Sequence, residues 1–196
     1  MATAHDITRH HDADPHEDPW VRGRPAPETI LVQSHDPGWA TCYARLAAAV
    51  RRALGPRALA VEHVGSTAVP GLPAKPVIDI DLTVADPADE ASYVPALEAL
   101  DYVLVVREPS WHQHRCLRLQ APRANLHVFG PDCPEVIRHR MFRDWLRTHA
   151  DERERYAQAK HAAAAATDDM AEYNRHKQDA VRAIYARMFR AAGLLP

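Results

Sequence analysis

The stretch Val77-Ile78-Asp79-Ile80-Asp81-Leu82 sets two acidic residues into an otherwise apolar run. Alternation of this kind is a strand signal. It puts Asp79 and Asp81 on one face, roughly 7 Å apart along the chain, and turns Ile78, Ile80 and Leu82 toward a core. Two carboxylates side by side repel unless positive charge lies between them. A hard divalent cation such as Mg²⁺ supplies it, taking oxygens from protein, water and phosphate. The competing reading is the solvated face of an edge strand. Upstream, the apolar run Leu59 to Val64 breaks at Gly65-Ser66. Glycine permits a sharp turn and close approach to a ligand. A serine hydroxyl beside turn amides is able to hold phosphate oxygens.

The surrounding pattern is that of an α+β fold. Residues 1 to about 27 are rich in His, Asp and Pro and lack apolar periodicity, which predicts a mobile tail; His10, His11 and His16 there have no spacing that fixes a metal geometry. Ile30-Leu31-Val32 reads as a short strand. Trp39, Tyr43, Leu46, Val50 and Leu54 then recur at helical spacing up to Gly55-Pro56. A helix is predicted over Pro87 to Leu100, with Pro95 marking a bend, and a strand over Tyr102 to Val106. Cys116 to Gln120 and Asn125 to Phe129 read as a hairpin. From Pro134 onward the pattern is helical. The expected organisation is a tail (1–27), an α/β core with a mixed sheet and flanking helices (28–132), and a C-terminal helical bundle packed on it (133–196).

Bulk properties narrow the partners. A net charge of -2 over 196 residues argues against bulk nucleic-acid binding and against an anionic membrane surface. No apolar run approaches the roughly 18–20 residues of a membrane span. The first residues show no basic region followed by an apolar stretch, so no secretory signal is expected. Cys42, Cys116 and Cys133 are odd in number and lack metal-type spacing, which fits reduced thiols in a cytoplasmic protein.

An apolar residue, Gly-Ser, twelve residues and then Asp-apolar-Asp is similar to the core motif of the DNA-polymerase-β-like nucleotidyltransferases. The longer block from Glu62-His63-Val64-Gly65-Ser66 through Gly71-Leu72-Pro73-Ala74-Lys75-Pro76 to Asp79 resembles the signature of the GrpB family, also called UPF0157. His35-Asp36-Pro37-Gly38-Trp39, Asn125-Leu126-His127-Val128, Phe142 to Arg147, and Tyr173 with Lys177 extend the likeness over about residues 30 to 190. The resemblance implies a nucleotidyltransferase-like fold in which Gly65 and Ser66 hold triphosphate oxygens and Asp79 and Asp81 bind Mg²⁺. The superfamily usually carries a third acid on a neighbouring strand. The matching position here is His127, a poorer Mg²⁺ ligand but a candidate general base. Glu62 and Glu108 are alternatives for the acid.

Other candidates follow from position. Lys75 lies between the Gly-Ser turn and the aspartates, and Arg143 recurs with Arg147 on one helix; both are candidate phosphate contacts. Glu62, His63, His112, His114, Arg115 and Lys160 are candidate substrate contacts, with His112 and His114 on one face if that stretch is extended. The leading expectation is a Mg²⁺-dependent enzyme acting on a nucleoside triphosphate and a small-molecule acceptor. The alternatives are another phosphate-metabolite enzyme on the same fold, or a non-catalytic nucleotide-binding accessory module.

Overall fold

Among the described residues, alternating apolar residues build five strands: β1 (Ala60–Val64), β2 (Ile78–Thr83), β3 (Val103–Glu108), β4 (His114–Leu119) and β5 (Ala124–Phe129). They form one sheet in the order β1-β2-β5-β4-β3. The β2–β5 pair is parallel and the other pairs are antiparallel, so the sheet is mixed. These features come from a computed structural model that describes residues 1–11, 14, 16–26 and 29–196.

One sheet face carries the core. Ile78, Ile80 and Leu82 are buried with Leu117, Leu126 and Val128. Helices α2 (Gly38–Leu54) and α3 (Val94–Glu98) pack on them, α2 through Leu46, Val50 and Leu54. Each such side chain contributes about 1.5–3 kcal/mol of burial. Because β2 is an interior strand, its acidic face is not the solvated face of an edge. It is roofed by α4 (Pro134–Thr148), followed by α5 (Ala150–Ala166) and α6 (Met170–Ala191), which pack along each other. Among the described residues, no helix is long and apolar enough to cross a membrane.

Three local expectations give way. The helix predicted from Pro87 shrinks to α3, preceded by a 3-10 turn at Glu90–Ser92. The Asp86 carboxylate accepts the Ala88 N–H at 2.9 Å and turns the chain, and Pro95 is tolerated only because it falls in the first turn of α3. The strand predicted at 30–32 does not form. Gln33 instead makes an isolated bridge with Ala74, and Ile30 packs against Ala163 and Tyr173.

The predicted mobile tail is docked where it is described. Thr3 and Asp6 form a capping box that starts α1 (Ala4–Thr8). Ile7 seats against Tyr185, Met188 and Phe189, and Arg138 donates to the carbonyls of Ile7 and Arg9. Further on, the Val21 N–H donates to the Val105 carbonyl at 3.1 Å and the Arg107 N–H to the Pro19 carbonyl at 2.9 Å. These bonds cover the outer edge of β3.

Candidate functional site

The face opposite the core is built by strand register. Val64 pairs with Asp79, Glu62 with Asp81, Asp79 with Asn125 and Asp81 with His127, so all six side chains share one face. At the end of β1, Gly65 adopts φ +67° and lies against Asp79, where an added Cβ would fall 2.4 Å from Oδ2. Ser66 then opens a 3-10 turn, Ser66–Ala68. Thr67 pins that turn. Its hydroxyl donates to the Val77 carbonyl at 3.2 Å and lies 3.1 Å from His63 Nε2.

His63 points to the α2 side, stacked on Tyr43 with ring centroids 4.4 Å apart. Burial pushes its imidazole down to about 4. The sequence reading makes His63 a candidate substrate contact; the structure makes it a clamp for the turn, because it shares the core face with Val61 and Ile80.

Asp79 and Asp81 have different surroundings. Asp79 Oδ1 accepts from Asn125 Nδ2 at 2.9 Å and lies 3.9 Å from His127 Nε2. Burial pushes the Asp79 carboxyl up, but His127, Asn125 and Lys75 together hold it below the usual carboxylate range. Burial likewise opposes a charge on His127, yet Cys116 and Asp79 raise it well above an ordinary imidazole. Asp81 is 1% exposed. Its Oδ2 is 2.9 Å from His139 Nδ1, and its Oδ1 is buried with no hydrogen-bond partner. His139 is raised in turn: burial opposes its charge, and Asp81 and Glu135 outweigh that.

His139 is the site residue that sequence reasoning misses. It stands 58 positions from Asp81 and reaches the sheet only through the docking of α4. The available signal is the spacing Glu135, His139, Arg143, which puts three polar groups on one helical face.

His112 and His114 do not form a pair. His112 and Gln113 both take positive φ, 54° and 55°, so the chain turns between β3 and β4 instead of running extended. His112 packs edge-on against His11, while His114 points into the acidic face. There Glu108 Oε2 is 2.7 Å from His114 Nδ1, and His114 Nε2 is 3.0 Å from His127 Nδ1. An ionised Glu108 only accepts, so His114 carries its proton on Nδ1 and accepts from His127 through Nε2. Burial, which pushes His114 down to about 4, keeps it neutral for that role. Glu108 is thus two imidazoles away from Asp79. Glu62, the other acid candidate, is taken by Arg143 at 3.0 Å. Arg115, a candidate substrate contact from the sequence, is bound to Glu90 at 2.5 Å, away from this face.

Two hollows flank the Gly65-Ser66 turn. The larger, about 740 Å³, is lined by Ser66, Lys75, Asp79, His127 and Lys160. The smaller, about 300 Å³, is walled by Phe142, Leu146, Tyr156 and Tyr185. Gly65, Ser66, His139, Tyr156, Asn174 and Lys177 line both. Arg143 borders the smaller one, but its guanidinium is committed to Glu62, Asp144 and the His63 carbonyl. Among the described residues, no group of three or more His, Cys, Asp or Glu is arranged to hold a metal ion. Of the two aspartates, Asp79 lines the larger hollow and the buried Asp81 lines neither; a hard cation between them would take Asp79 and the unpartnered Asp81 Oδ1, which fits the way Mg²⁺ uses one or two carboxylates and completes its shell with water and phosphate.

The family model for GrpB protein matches residues 29–187. The chain belongs to the GrpB family. A UPF0157 protein of Halalkalibacterium halodurans is 47% identical over 137 residues, 70% of each chain. A UPF0157 protein of Streptomyces coelicolor is 39% identical over 168 residues, covering 85% of this chain and 88% of that one. A protein named dephospho-CoA kinase from Mycolicibacterium paratuberculosis is 31% identical in an alignment of length 179 that covers 78% of this chain and 44% of that protein. The crystal structure of conserved protein GrpB from Enterococcus faecalis superposes with a TM-score of 0.74 at 27% identity, over 83% of this chain and 99% of that one. The GrpB fold, a five-stranded mixed sheet with flanking and C-terminal helices, is therefore common to both.

Proposed function

We propose that this GrpB chain is a Mg²⁺-dependent nucleotidyltransferase that passes a nucleotidyl group from a nucleoside triphosphate to a small-molecule acceptor. The observation that carries the reading is the packing of the Gly65 backbone on the Asp79 carboxylate. It brings a turn suited to phosphate oxygens into contact with a group suited to a cation.

In this reading the Ser66 hydroxyl and the turn amides hold phosphate, Lys75 adds positive charge, and Asp79 and Asp81 present oxygens to the cation. Mg²⁺, when bound, lowers the pKa of the attacking hydroxyl and offsets the charge of the leaving pyrophosphate. The acceptor oxygen bonds to the α-phosphorus as the bond to the bridging oxygen breaks. His127 handles the proton. The charged imidazole first gives its Nε2 proton to solvent in the larger hollow that it lines, and the neutral ring, protonated on Nδ1, then accepts the hydroxyl proton of the acceptor through Nε2. Its Nδ1 proton moves to His114, whose own passes to Glu108, a quarter exposed.

The likeness to proteins named dephospho-CoA kinase favours a second reading, phosphoryl transfer or ligation of a phosphorylated metabolite at the same site. His127 at the third-acid position favours a third, a non-catalytic nucleotide-binding module. Incubation with nucleoside triphosphates, Mg²⁺ and a metabolite panel, followed by mass spectrometry, separates them. Pyrophosphate release that is lost in Asp79→Asn supports the transferase. Nucleoside diphosphate as product supports the second reading, and bound nucleotide without turnover the third.

A further inference from the structure

The chain contains 24 Lys and Arg residues, and only three are lysines: Lys75, Lys160 and Lys177. All three line the larger hollow, although they come from the loop before β2, from α5 and from α6. The Nζ atoms of Lys75 and Lys177 each lie 5.0 Å from the Tyr173 ring centroid, and that of Lys160 lies 4.6 Å from the Tyr156 ring. Lys160 is 2% exposed and donates to the Pro73 carbonyl. Among the described residues, no carboxylate stands within ion-pair distance of Lys160 or Lys177.

This arrangement is costly for an empty protein. An ammonium buried without a counter-charge is disfavoured, and neighbouring positive charges add to the penalty. Burial, then Lys177 and Lys75, push Lys160 down to about 7. For Lys160 and Lys177 aromatic faces offset part of the cost but supply no full negative charge, whereas Lys75 also has the Asp79 carboxylate nearby. Everywhere else the chain meets its need for cations with arginine, which forms flat bidentate pairs such as Arg187 with Glu152. A lysine ammonium is a compact point charge on a flexible stem, suited to a phosphate oxygen approached from several directions. Three such groups facing one hollow match a ligand with several negative charges.

We propose that Lys75, Lys160 and Lys177 form a diphosphate subsite in the larger hollow, with Lys177 at its border with the smaller aromatic one. Under the nucleotidyltransferase reading, on which the identity of the ligand rests, this subsite takes the β- and γ-phosphates and afterwards the released pyrophosphate. The remainder of the substrate then extends toward Asp79 and the Gly65-Ser66 turn.

The test is calorimetric titration of the full chain with inorganic pyrophosphate in the absence of divalent metal. Lys160→Met and Lys177→Gln are each expected to weaken binding at least tenfold, and Lys177→Arg to weaken it less than Lys177→Gln. Equal affinity in the parent, Lys160→Met and Lys177→Gln would overturn the proposal, as would no binding to the parent or citrate binding as tightly as pyrophosphate. If Lys160→Met fails to fold, Lys177→Gln on the less buried lysine still decides. Selective ¹⁵N-lysine labelling gives a second readout: three side-chain signals, all expected to shift with pyrophosphate. A parallel titration with Mg²⁺ and nucleotide separates the two claims. Lysine-dependent pyrophosphate binding without Mg²⁺-dependent nucleotide binding keeps the subsite and removes the transferase reading.

Discussion

The Gly65 backbone lies directly against the Asp79 carboxylate: a Cβ on Gly65 would fall 2.4 Å from Asp79 Oδ2 and 2.9 Å from Asp79 Cβ, at a φ of +67°. Two penalties therefore meet in Gly65→Ala. The positive φ strains any L side chain by about 1–3 kcal/mol, and Asp79 must move off Asn125. The variant is expected to unfold at lower urea concentration and to lose affinity for Mg²⁺ and nucleotide together. An unchanged unfolding midpoint with unchanged nucleotide affinity would refute this coupling.

Removing His139 leaves the Asp81 carboxylate in the interior without its imidazole partner. Breaking a buried pair costs about 3–5 kcal/mol, and the partial exposure of His139 puts His139→Ala at the lower end. The His139 pKa is raised in the fold, so its contribution is full below the unfolded value of 6.5 and is lost as pH rises through the folded value. Urea unfolding of parent and His139→Ala should show a wider stability gap at pH 6 than at pH 9. A gap independent of pH would contradict the pairing.

His63 works in the opposite direction. Its folded pKa is depressed to about 4 by burial, below the unfolded 6.5. Between those values the unfolded chain binds the proton and the folded chain does not, so stability is present above 6.5 and is lost as pH falls toward 4. His63→Phe keeps the stack on Tyr43 and removes the titration. The parent should lose up to about 3 kcal/mol relative to this variant between pH 6.5 and 4. Parallel acid-unfolding curves would show that His63 does not remain neutral in the fold.

Much of the site is local enough to read from sequence. A period of two places Asp79 and Asp81 on one face whatever surrounds them, and Gly65-Ser66 marks its own turn. His127 is legible through its neighbours Leu126 and Val128, which fix its face on β5. His139 is not legible, because only the packing of α4 over the sheet brings it to Asp81. The expected His112 and His114 pair fails because two residues other than glycine or asparagine take positive φ, which no turn motif announces. The docking of the first residues is equally hidden. It depends on one apolar anchor, Ile7, and on backbone carbonyls that Arg138 finds, and neither produces a periodic pattern.

Calorimetric titration of the full chain with a non-hydrolysable nucleoside triphosphate, with and without Mg²⁺, tests the central claim most directly. If Asp79 and the Gly65-Ser66 turn together hold a metal–nucleotide complex, Mg²⁺ tightens binding in the parent, and Asp79→Asn abolishes that tightening while the fold is retained. Identical affinities in the parent and Asp79→Asn, each indifferent to Mg²⁺, would contradict it.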